Sequence, residues 1–220
     1  LPKNIFNFTV HYINNSLPTR KNLVKWGLSS SADCSFCSSP ESLLHIISGC
    51  KAYLDEGRFT WRHNSVLNFI ASSLMSAERS KLYVDLPGFI TPSVITAGDQ
   101  LRPDLLLAIE NKVLYVLELT VGFETNLNSN SDRKHKKYLP LISDQESNYD
   151  KVKFVNVSIS SLGVFGQSTN TLTDMLKELK FDEQQIKYIK KKIIAICIRT
   201  SYYVFCQRNK DWTSPELLKF

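Results

Sequence analysis

Two apolar runs separated by a short polar insert constrain the fold of this chain more than any other stretch. The runs are LLLAI (105–109) and VLYVLEL (113–119), and the insert is ENK (110–112). Apolar runs of this length around a few polar residues are typical of a β-hairpin. Apart from Glu118, the second run is apolar on both alternating faces, so we expect a central strand with helices covering both sides.

The rest of the chain mixes helical and strand patterns. We expect short helices within 1–28, helices at Pro40–Gly49 and 56–75, a wandering connection over 85–102, a short helix around Ser131–Leu139 that Pro140 ends or kinks, a strand at 152–159, and helices at 171–180 and 183–208. This order predicts a mixed α/β layer architecture. We divide the chain into a helical lead-in with a metal-binding module (1–55) and a second domain (56–220).

Composition restricts the partners and the compartment. A net charge of +6 and a pI near 9.0 favour an anionic partner, most commonly a nucleic acid. No apolar run reaches the length of a membrane span, and the opening LPKNIFNF lacks the features of a signal peptide. The count of five cysteines therefore favours a reducing compartment and metal ligation over disulfides. Because the chain starts at Leu, we expect a fragment of a longer polypeptide.

Four potential metal ligands lie in one window of 17 residues. Cys34, Cys37, His45 and Cys50 have the spacing C-x2-C-x7-H-x4-C. This set can complete a tetrahedron around one Zn²⁺, and with four protein ligands the zinc would be structural. The surrounding SSSADCSFCSSP (29–40) has no apolar core, so the metal would supply its folding energy. The alternative is a chance C-x2-C beside a histidine that is simply packed.

The hairpin carries two carboxylates, Asp104 at its mouth and Glu118 within its second strand. If the turn is centred on Asn111, the paired residue numbers add to 222, and Asp104 then faces Glu118. Opposed like charges are destabilising unless a cation lies between them or one is protonated, and Mg²⁺ suits such a pair. A two-residue turn would send them to opposite faces. Alternatively, Asp104 caps a turn and Glu118 pairs with a lysine or arginine.

Basic residues elsewhere could complete a site. Lys134, Lys137 and Tyr138 share one helical face by their spacing, although a lysine-rich helix is more often a solvated face. His63, in Arg62-His63-Asn64, belongs to the apolar stripe of its helix and should point inward. A packed histidine satisfied by a hydrogen bond is the simpler interpretation.

Together these motifs resemble a known family. The C-C-H-C spacing is followed by GRFTWRHN (57–64), RPD (102–104), ELT (118–120) and RKHKKY (133–138). This order resembles the C-terminal restriction-like endonuclease of site-specific non-LTR retrotransposons, which follows a reverse transcriptase on one polypeptide. The resemblance runs from LPTRKNL to QRNKDW, nearly the whole chain.

The resemblance implies a PD-(D/E)XK nuclease core, a central mixed sheet flanked by helices. Asp104 and Glu118 would hold a catalytic Mg²⁺ or Mn²⁺, with the main-chain carbonyl of Leu119 as a third ligand. The catalytic lysine of this class stands two residues after the second acid, where this chain has Thr120. In this branch the lysine would come from the following helix, as Lys134 or Lys137 together with Tyr138; the resemblance leaves the choice open.

The remaining carried-over residues concern the nucleic acid. Contacts to DNA phosphate, or support of the metal ligands, would come from four side chains: Arg62, His63, Asn64 and Arg102. Glu124 and Asn126 match an acidic loop of the family whose role we cannot derive. The implied activity is nicking of double-stranded target DNA in the nucleus, which primes reverse transcription of the element RNA; the zinc module would help position RNA or DNA. The alternative is an inactive zinc-containing nucleic-acid-binding module.

Overall fold

The computed structural model describes residues 1–96, 101–110 and 112–217. Its centre is a four-stranded sheet in the order β1-β2-β3-β4, formed by the strands Ser80–Val84, Leu105–Ile109, Val113–Gly122 and Lys151–Ser160. The first three strands are antiparallel, and β4 runs parallel to β3. The architecture is therefore mixed α/β with a mixed sheet, and the strand 113–119 lies inside it as predicted.

The described ranges contain eight α-helices: α1 Lys3–Ile13, α2 Arg20–Lys25, α3 Lys51–Asp55, α4 Arg58–Leu74, α5 Ser93–Thr96, α6 Leu127–Gln145, α7 Asn170–Glu178 and α8 Glu183–Cys206. A π-helical turn spans His45–Gly49, and short 3₁₀ turns span Glu124–Asn126 and Gln167–Thr169. Asp182 begins α8 with a capping box, in which its side chain accepts from Gln185 N and the Gln185 side chain accepts from Asp182 N. Of the helices described, none combines the length and apolar character that a membrane crossing requires.

The hairpin register is the predicted one. Ile109 pairs with Val113 and Leu107 with Tyr115, so the paired numbers add to 222. The Lys112 amide donates to the Ile109 carbonyl at 2.8 Å, which closes a loop of three residues. Asn111, the predicted centre of the turn, lies outside the described residues.

Helices cover both faces of the sheet, as the apolar pattern of β3 requires. On one face, Leu105, Leu117 and Leu119 pack into a large core with α4, α7 and α8. On the other face, Leu106, Leu114 and Val116 pack against α6 through Tyr138 and Leu141. The connection from β3 to the parallel strand β4 runs through α6, so the helix that follows ELT lies over the strand that carries Glu118.

Three local predictions need correction. The strand β1 was missed because SKLYV is a short, half-exposed strand at the edge of the sheet, next to β2. The short helix predicted around Ser131–Leu139 is the 19-residue helix α6, which continues through Pro140. The predicted helix Pro40–Gly49 is helical only over 43–49, and most of that stretch is a π-turn.

The N-terminal module shares a hydrophobic cluster with the last helix. Phe8 lies between Tyr202 and Phe205 of α8, at ring-centroid distances of 5.4 and 5.5 Å. Cys34 and Ile47 belong to the same buried cluster as Phe205. The domain boundary between residues 55 and 56 stays a prediction, but the two parts are joined by common packing.

Arg58 is the most buried basic link between the module and the chain end. Its side chain is fully buried, donates to the carbonyls of Gln207 and Lys210 at 2.7 and 2.8 Å, and forms an ion pair with Glu56 at 2.6 Å. Its guanidinium carbon lies 4.0 Å from the ring centroid of Tyr53. The start of α4 therefore anchors the segment after α8 against the residues that follow the C-C-H-C motif.

Candidate functional site

The four predicted zinc ligands come together. Cys34, Cys37, His45 and Cys50 place one potential ligand atom each within 4.8 Å of one another. The Cys37 and Cys50 Sγ atoms are 3.7 Å apart, and Cys37 Sγ is 3.3 Å from His45 Nε2. With Zn–S bonds of about 2.3 Å, a tetrahedral zinc separates two sulfur ligands by about 3.8 Å. The cluster fits a structural Zn²⁺.

The local backbone explains how a polar loop and a helix meet at this cluster. The loop 34–39 closes on itself, with the Cys34 amide donating to the Ser39 carbonyl at 2.8 Å. The π-turn His45–Gly49 is followed by Cys50, whose amide donates to the His45 carbonyl at 2.8 Å. The wider π-turn brings ligands five residues apart to one point. Burial lowers the pKa of His45, which keeps its imidazole in the neutral form that binds zinc.

The two carboxylates of the hairpin also converge. Asp104 Oδ2 accepts from the Leu119 amide at 2.7 Å, and the Asp104 amide donates to Glu118 Oε2 at 3.3 Å. Glu118 is 2% exposed, whereas the Asp104 side chain is 17% exposed. Oxygen atoms from Asp104, Glu118 and the main chain of Leu119 thus share one site at the mouth of the hairpin.

His63 of α4 reaches this oxygen cluster. Its Nε2 lies 3.3 Å from both Asp104 Oδ2 and the Leu119 carbonyl oxygen. Its Nδ1 is 3.0 Å from Asn64 Oδ1, and since all three neighbours are acceptors, both ring nitrogens act as donors. Burial alone would lower the pKa of His63, but the Asp104 carboxylate raises it to about 9. The protonated ring therefore supplies positive charge where Asp104 and the Leu119 carbonyl meet.

The two carboxyl groups differ in their electrostatics. Burial raises the pKa of Glu118, and the charge of Asp104 adds to that rise. Burial also acts to raise the pKa of Asp104, but His63 and the Leu119 amide hold it below its usual range. Neighbouring carboxyl groups whose pKa values are pushed apart mark a candidate functional site.

Helix α6 brings Lys134 to the second carboxylate. The Lys134 ammonium forms an ion pair with Glu118 Oε1, as the alternative interpretation of Glu118 predicted. Lys137 instead lies 4.8 Å from the ring centroid of Tyr138 and donates to its hydroxyl at 3.2 Å. The Tyr138 hydroxyl donates to the Arg102 carbonyl at 2.9 Å, and Arg102 Nε lies 3.1 Å from Asp85 Oδ2. Of the two candidate lysines, Lys134 contacts a carboxylate of the site.

Arg62 does not join the site. Arg62 is 1% exposed, and its guanidinium donates to the Ile47 carbonyl at 2.9 Å, within the π-turn of the zinc module. In this position the side chain faces the zinc module rather than solvent, and the predicted role of Arg62 at DNA phosphate or behind the metal ligands stays a prediction. Asn64 fixes the ring of His63 rather than reaching outward.

Three features of the site were not predicted from the sequence. The Leu119 amide that binds Asp104 is a main-chain group, which no residue pattern can indicate. Asp85 directly follows β1, as Arg102 and Asp104 directly precede β2, and this shared place at the strand ends could have suggested Asp85 as a partner of Arg102. Thr120 is half-buried, and its hydroxyl has no hydrogen-bond partner among the described residues.

Comparison with known protein families gives a match for the N-terminal module. A search of curated proteins gives no match. The matching region contains all four Cys and His residues of the metal cluster. Residues 1–55 match the family described as zinc-binding in reverse transcriptase.

Proposed function

We propose that this chain is a metal-dependent DNA endonuclease with a PD-(D/E)XK-type core, joined to a reverse-transcriptase zinc module. The observation that carries the proposal is the convergence of Asp104, Glu118 and the Leu119 carbonyl beside His63 and Lys134. Oxygen donors from two carboxylates and one carbonyl suit Mg²⁺ or Mn²⁺. Asp104, Glu118 and the Leu119 carbonyl would hold such an ion, which would supply polarisation of the scissile phosphate and a lower pKa for a bound water.

The protein side chains have distinct tasks in this proposal. The Leu119 amide and His63 fix Asp104, and Asn64 fixes His63, so the acceptor oxygens are preorganised. The Lys134 ammonium orients the attacking water and stabilises charge that develops on the phosphate oxygens. Hydrolysis adds water across the P–O3′ bond, and the products are a 5′-phosphate and a 3′-hydroxyl.

The cellular role follows from the zinc module. Because residues 1–55 match a zinc-binding region of reverse transcriptases, the chain would act beside a reverse transcriptase on the same polypeptide. The new 3′-hydroxyl would prime copying of a non-LTR retrotransposon RNA at double-stranded target DNA in the nucleus. The net charge of +6 is consistent with nucleic-acid partners.

Thr120 favours a second candidate function. The catalytic lysine expected two residues after Glu118 is absent at that position, so the core could be an inactive nucleic-acid-binding module from a degenerate or host-adopted element. Such a module would shift DNA in a gel with or without Mg²⁺ and leave it intact. Salt dependence would not separate the two functions, since both use phosphate contacts.

The deciding experiment measures Mn²⁺ binding and plasmid nicking on the same samples. Electron paramagnetic resonance of free Mn²⁺ is followed during titration of wild type and of the Asp104→Ala, Glu118→Ala and Thr120→Lys variants. Asp150→Asn, an exposed carboxylate beyond α6, is the matched control. We expect wild type and the control to bind Mn²⁺ and nick supercoiled DNA, and both alanine variants to lose the two properties together. We expect Thr120→Lys to retain both Mn²⁺ binding and nicking, because in this proposal Lys134 already supplies the catalytic charge.

The Mn²⁺ titration gives an answer even if the chain binds DNA too weakly to nick it. Absence of nicking alone could reflect poor binding of plasmid, whereas Mn²⁺ binding needs no DNA. Wild type that binds no Mn²⁺ at millimolar concentration would make the carboxylate pair structural and favour the binding module.

A further inference from the structure

A groove of about 280 Å³ lies between the end of α7 and the first half of α8. Its lining carries one glutamate, Glu183, and four lysines: Lys177, Lys187, Lys190 and Lys191. Four lysines against one glutamate leave an excess of three positive charges, half of the net charge of +6 that the whole chain carries. A large share of the positive charge is therefore concentrated at this groove.

The protein does not neutralise these four lysines. Among the described residues, none of them has a carboxylate oxygen within ion-pair distance. Glu178, directly after the lysine of α7, is instead paired with Lys153 at 2.6 Å. Lys187, Lys190 and Lys191 follow the i, i+3 and i+4 spacing, so like charges meet on one helical face, which is destabilising. A polyanion bound in the groove would replace this repulsion by attraction.

The helix that carries three of these lysines is held firmly. Ile189 and Ile193 of α8 are buried in the main core. The loop after β4 packs closely on the same helix, because a Cβ at Gly163 would lie only 2.7 Å from Ile194 Cγ2, and Ile194 also lines the groove. The backbone of the lysines is therefore fixed before a ligand arrives, which lowers the entropy cost of binding.

An exposed aromatic ring lies beside the lysines. Tyr188 is 53% exposed, and Lys192 Nζ lies 5.3 Å from its ring centroid. At 3.6 residues per turn, Tyr188 lies about 60° around the helix from Lys191. An exposed aromatic side chain beside a positively charged groove is the pattern of proteins that bind single-stranded nucleic acids, where bases stack on the ring. Tyr188 therefore favours a nucleic-acid ligand over an acidic protein, which needs the charge alone.

We propose that this groove binds the phosphate backbone of a single-stranded nucleic acid and that Tyr188 stacks on one of its unpaired bases. Lysine ammonium groups bind phosphate as point charges and read no sequence, so the ligand is a DNA or RNA strand of any sequence. The inference rests on the proposed nucleic-acid function. It needs neither a catalytic metal nor cleavage, since none of these residues belongs to the carboxylate site.

The test is fluorescence anisotropy of the zinc-loaded chain without Mg²⁺ or Mn²⁺, repeated over a range of salt concentrations. The probes are short labelled strands of oligothymidine and oligouridine, and the tighter of the two identifies the ligand as DNA or RNA. The double variant Lys187→Gln with Lys191→Gln should lower the slope of log affinity against log salt by about 1.4, since each lost phosphate contact removes about 0.7. Lys81→Gln with Lys112→Gln removes the same charge from two exposed lysines, on β1 and in the hairpin loop, and should leave the slope unchanged.

A second variant, Tyr188→Leu, tests the stacking without changing the charge. We expect the affinity for the tighter strand to fall about tenfold at an unchanged salt slope. The affinity for a duplex of the same length should not change, because paired bases offer no free face to the ring. Unchanged affinity of Tyr188→Leu for the single strand would overturn the stacking.

Other results would overturn the groove itself. A wild-type salt slope near zero, or binding of neither strand, would do so without any variant. Equal slopes in the two double lysine variants would place the strand elsewhere on the chain. A polyglutamate peptide that binds wild type as tightly as the strands, and binds Lys187→Gln with Lys191→Gln more weakly, would assign the groove to an acidic protein. Plasmid nicking by wild type with equal slopes in the two double variants refutes the groove alone, and a lowered slope without any nicking refutes the endonuclease alone.

Discussion

The zinc cluster and the carboxylate site both gather metal-binding atoms, but their charge is neutralised differently. At the zinc cluster three cysteines and His45 converge with only weak contacts among themselves. At the carboxylate site the protein supplies its own cations, His63 against Asp104 and Lys134 against Glu118. The first arrangement needs an ion to be stable, whereas the second can persist without one.

The surroundings of the two sites reinforce this difference. Two of the zinc ligands, Cys34 and Cys37, lie on a loop of mostly small polar residues, and the hydrophobic cluster beside it is shared with α8. The carboxylates belong to a hairpin whose side chains Leu105, Leu117 and Leu119 are buried in the main core. A permanent ion is therefore part of folding at the first site, and an exchangeable ion suits chemistry at the second.

The largest expected effect is removal of the zinc. Cys50→Ser should abolish stoichiometric zinc binding and remove on the order of 10 kcal/mol of stabilisation from the module. Zinc content by mass spectrometry and hydrogen exchange of residues 34–50 measure this, while amides of the hairpin should stay protected. Cys206→Ser, at an exposed cysteine outside the cluster, is the control. Full zinc occupancy in Cys50→Ser would contradict the assignment of Cys50 as a ligand. Simultaneous opening of the hairpin would contradict the statement that only the first site depends on its ion for folding.

Arg58 tests how strongly the zinc module is joined to the rest of the chain. Arg58→Ala removes the hydrogen bonds of Arg58 to the Gln207 and Lys210 carbonyls and its contact with the Tyr53 ring. We expect a loss of about 4 kcal/mol in the free energy of unfolding by urea. Arg79→Ala, at an exposed arginine, should change it by less than about 1 kcal/mol. Similar values for the two variants would mean that Arg58 does not join the parts.

His63 makes the stability of the carboxylate site depend on pH. Because Asp104 raises its pKa from 6.5 to about 9, the folded state binds the proton more tightly than the unfolded state. The resulting stabilisation is fully present below about pH 6.5 and is lost as pH rises through about 9; it amounts to about 3 kcal/mol. Urea unfolding of zinc-loaded chain across this range should show the loss in wild type and a flatter profile in His63→Gln. His11→Gln, on the exposed side of α1, should follow wild type.

The sequence predicted the parts of the fold that depend on repeated apolar pattern. The hairpin register and the central position of β3 were predictable because a buried strand permits little slippage. The strand β1 and the passage of α6 through Pro140 were not, since tertiary packing overrides local preference at an edge strand and at a proline.

The candidate site was predictable to a similar extent. The spacing of Cys34, Cys37, His45 and Cys50 is short, so the chain itself brings these ligands close. The contact of His63 with Asp104 spans 41 positions, and only the packing of α4 against β3 creates it. The burial of Arg62 was missed because helical spacing does not show which neighbour lies above a given face.

The smallest expected effect is the difference in stability between alanine variants of the two lysines of α6. Lys134→Ala removes the cation on Glu118, but the pKa of that carboxyl is already raised, so uptake of a proton limits the cost to about 2 kcal/mol. Lys137→Ala removes a contact with the Tyr138 ring and a hydrogen bond to its hydroxyl, both part-buried, and should cost about 0.5 kcal/mol. The lysines are one turn apart, so each variant controls for the other in urea unfolding and plasmid nicking. If Lys137→Ala is the more damaging in either assay, the cation at the carboxylate site is misassigned. The contrast with the zinc cluster would then rest on His63 alone.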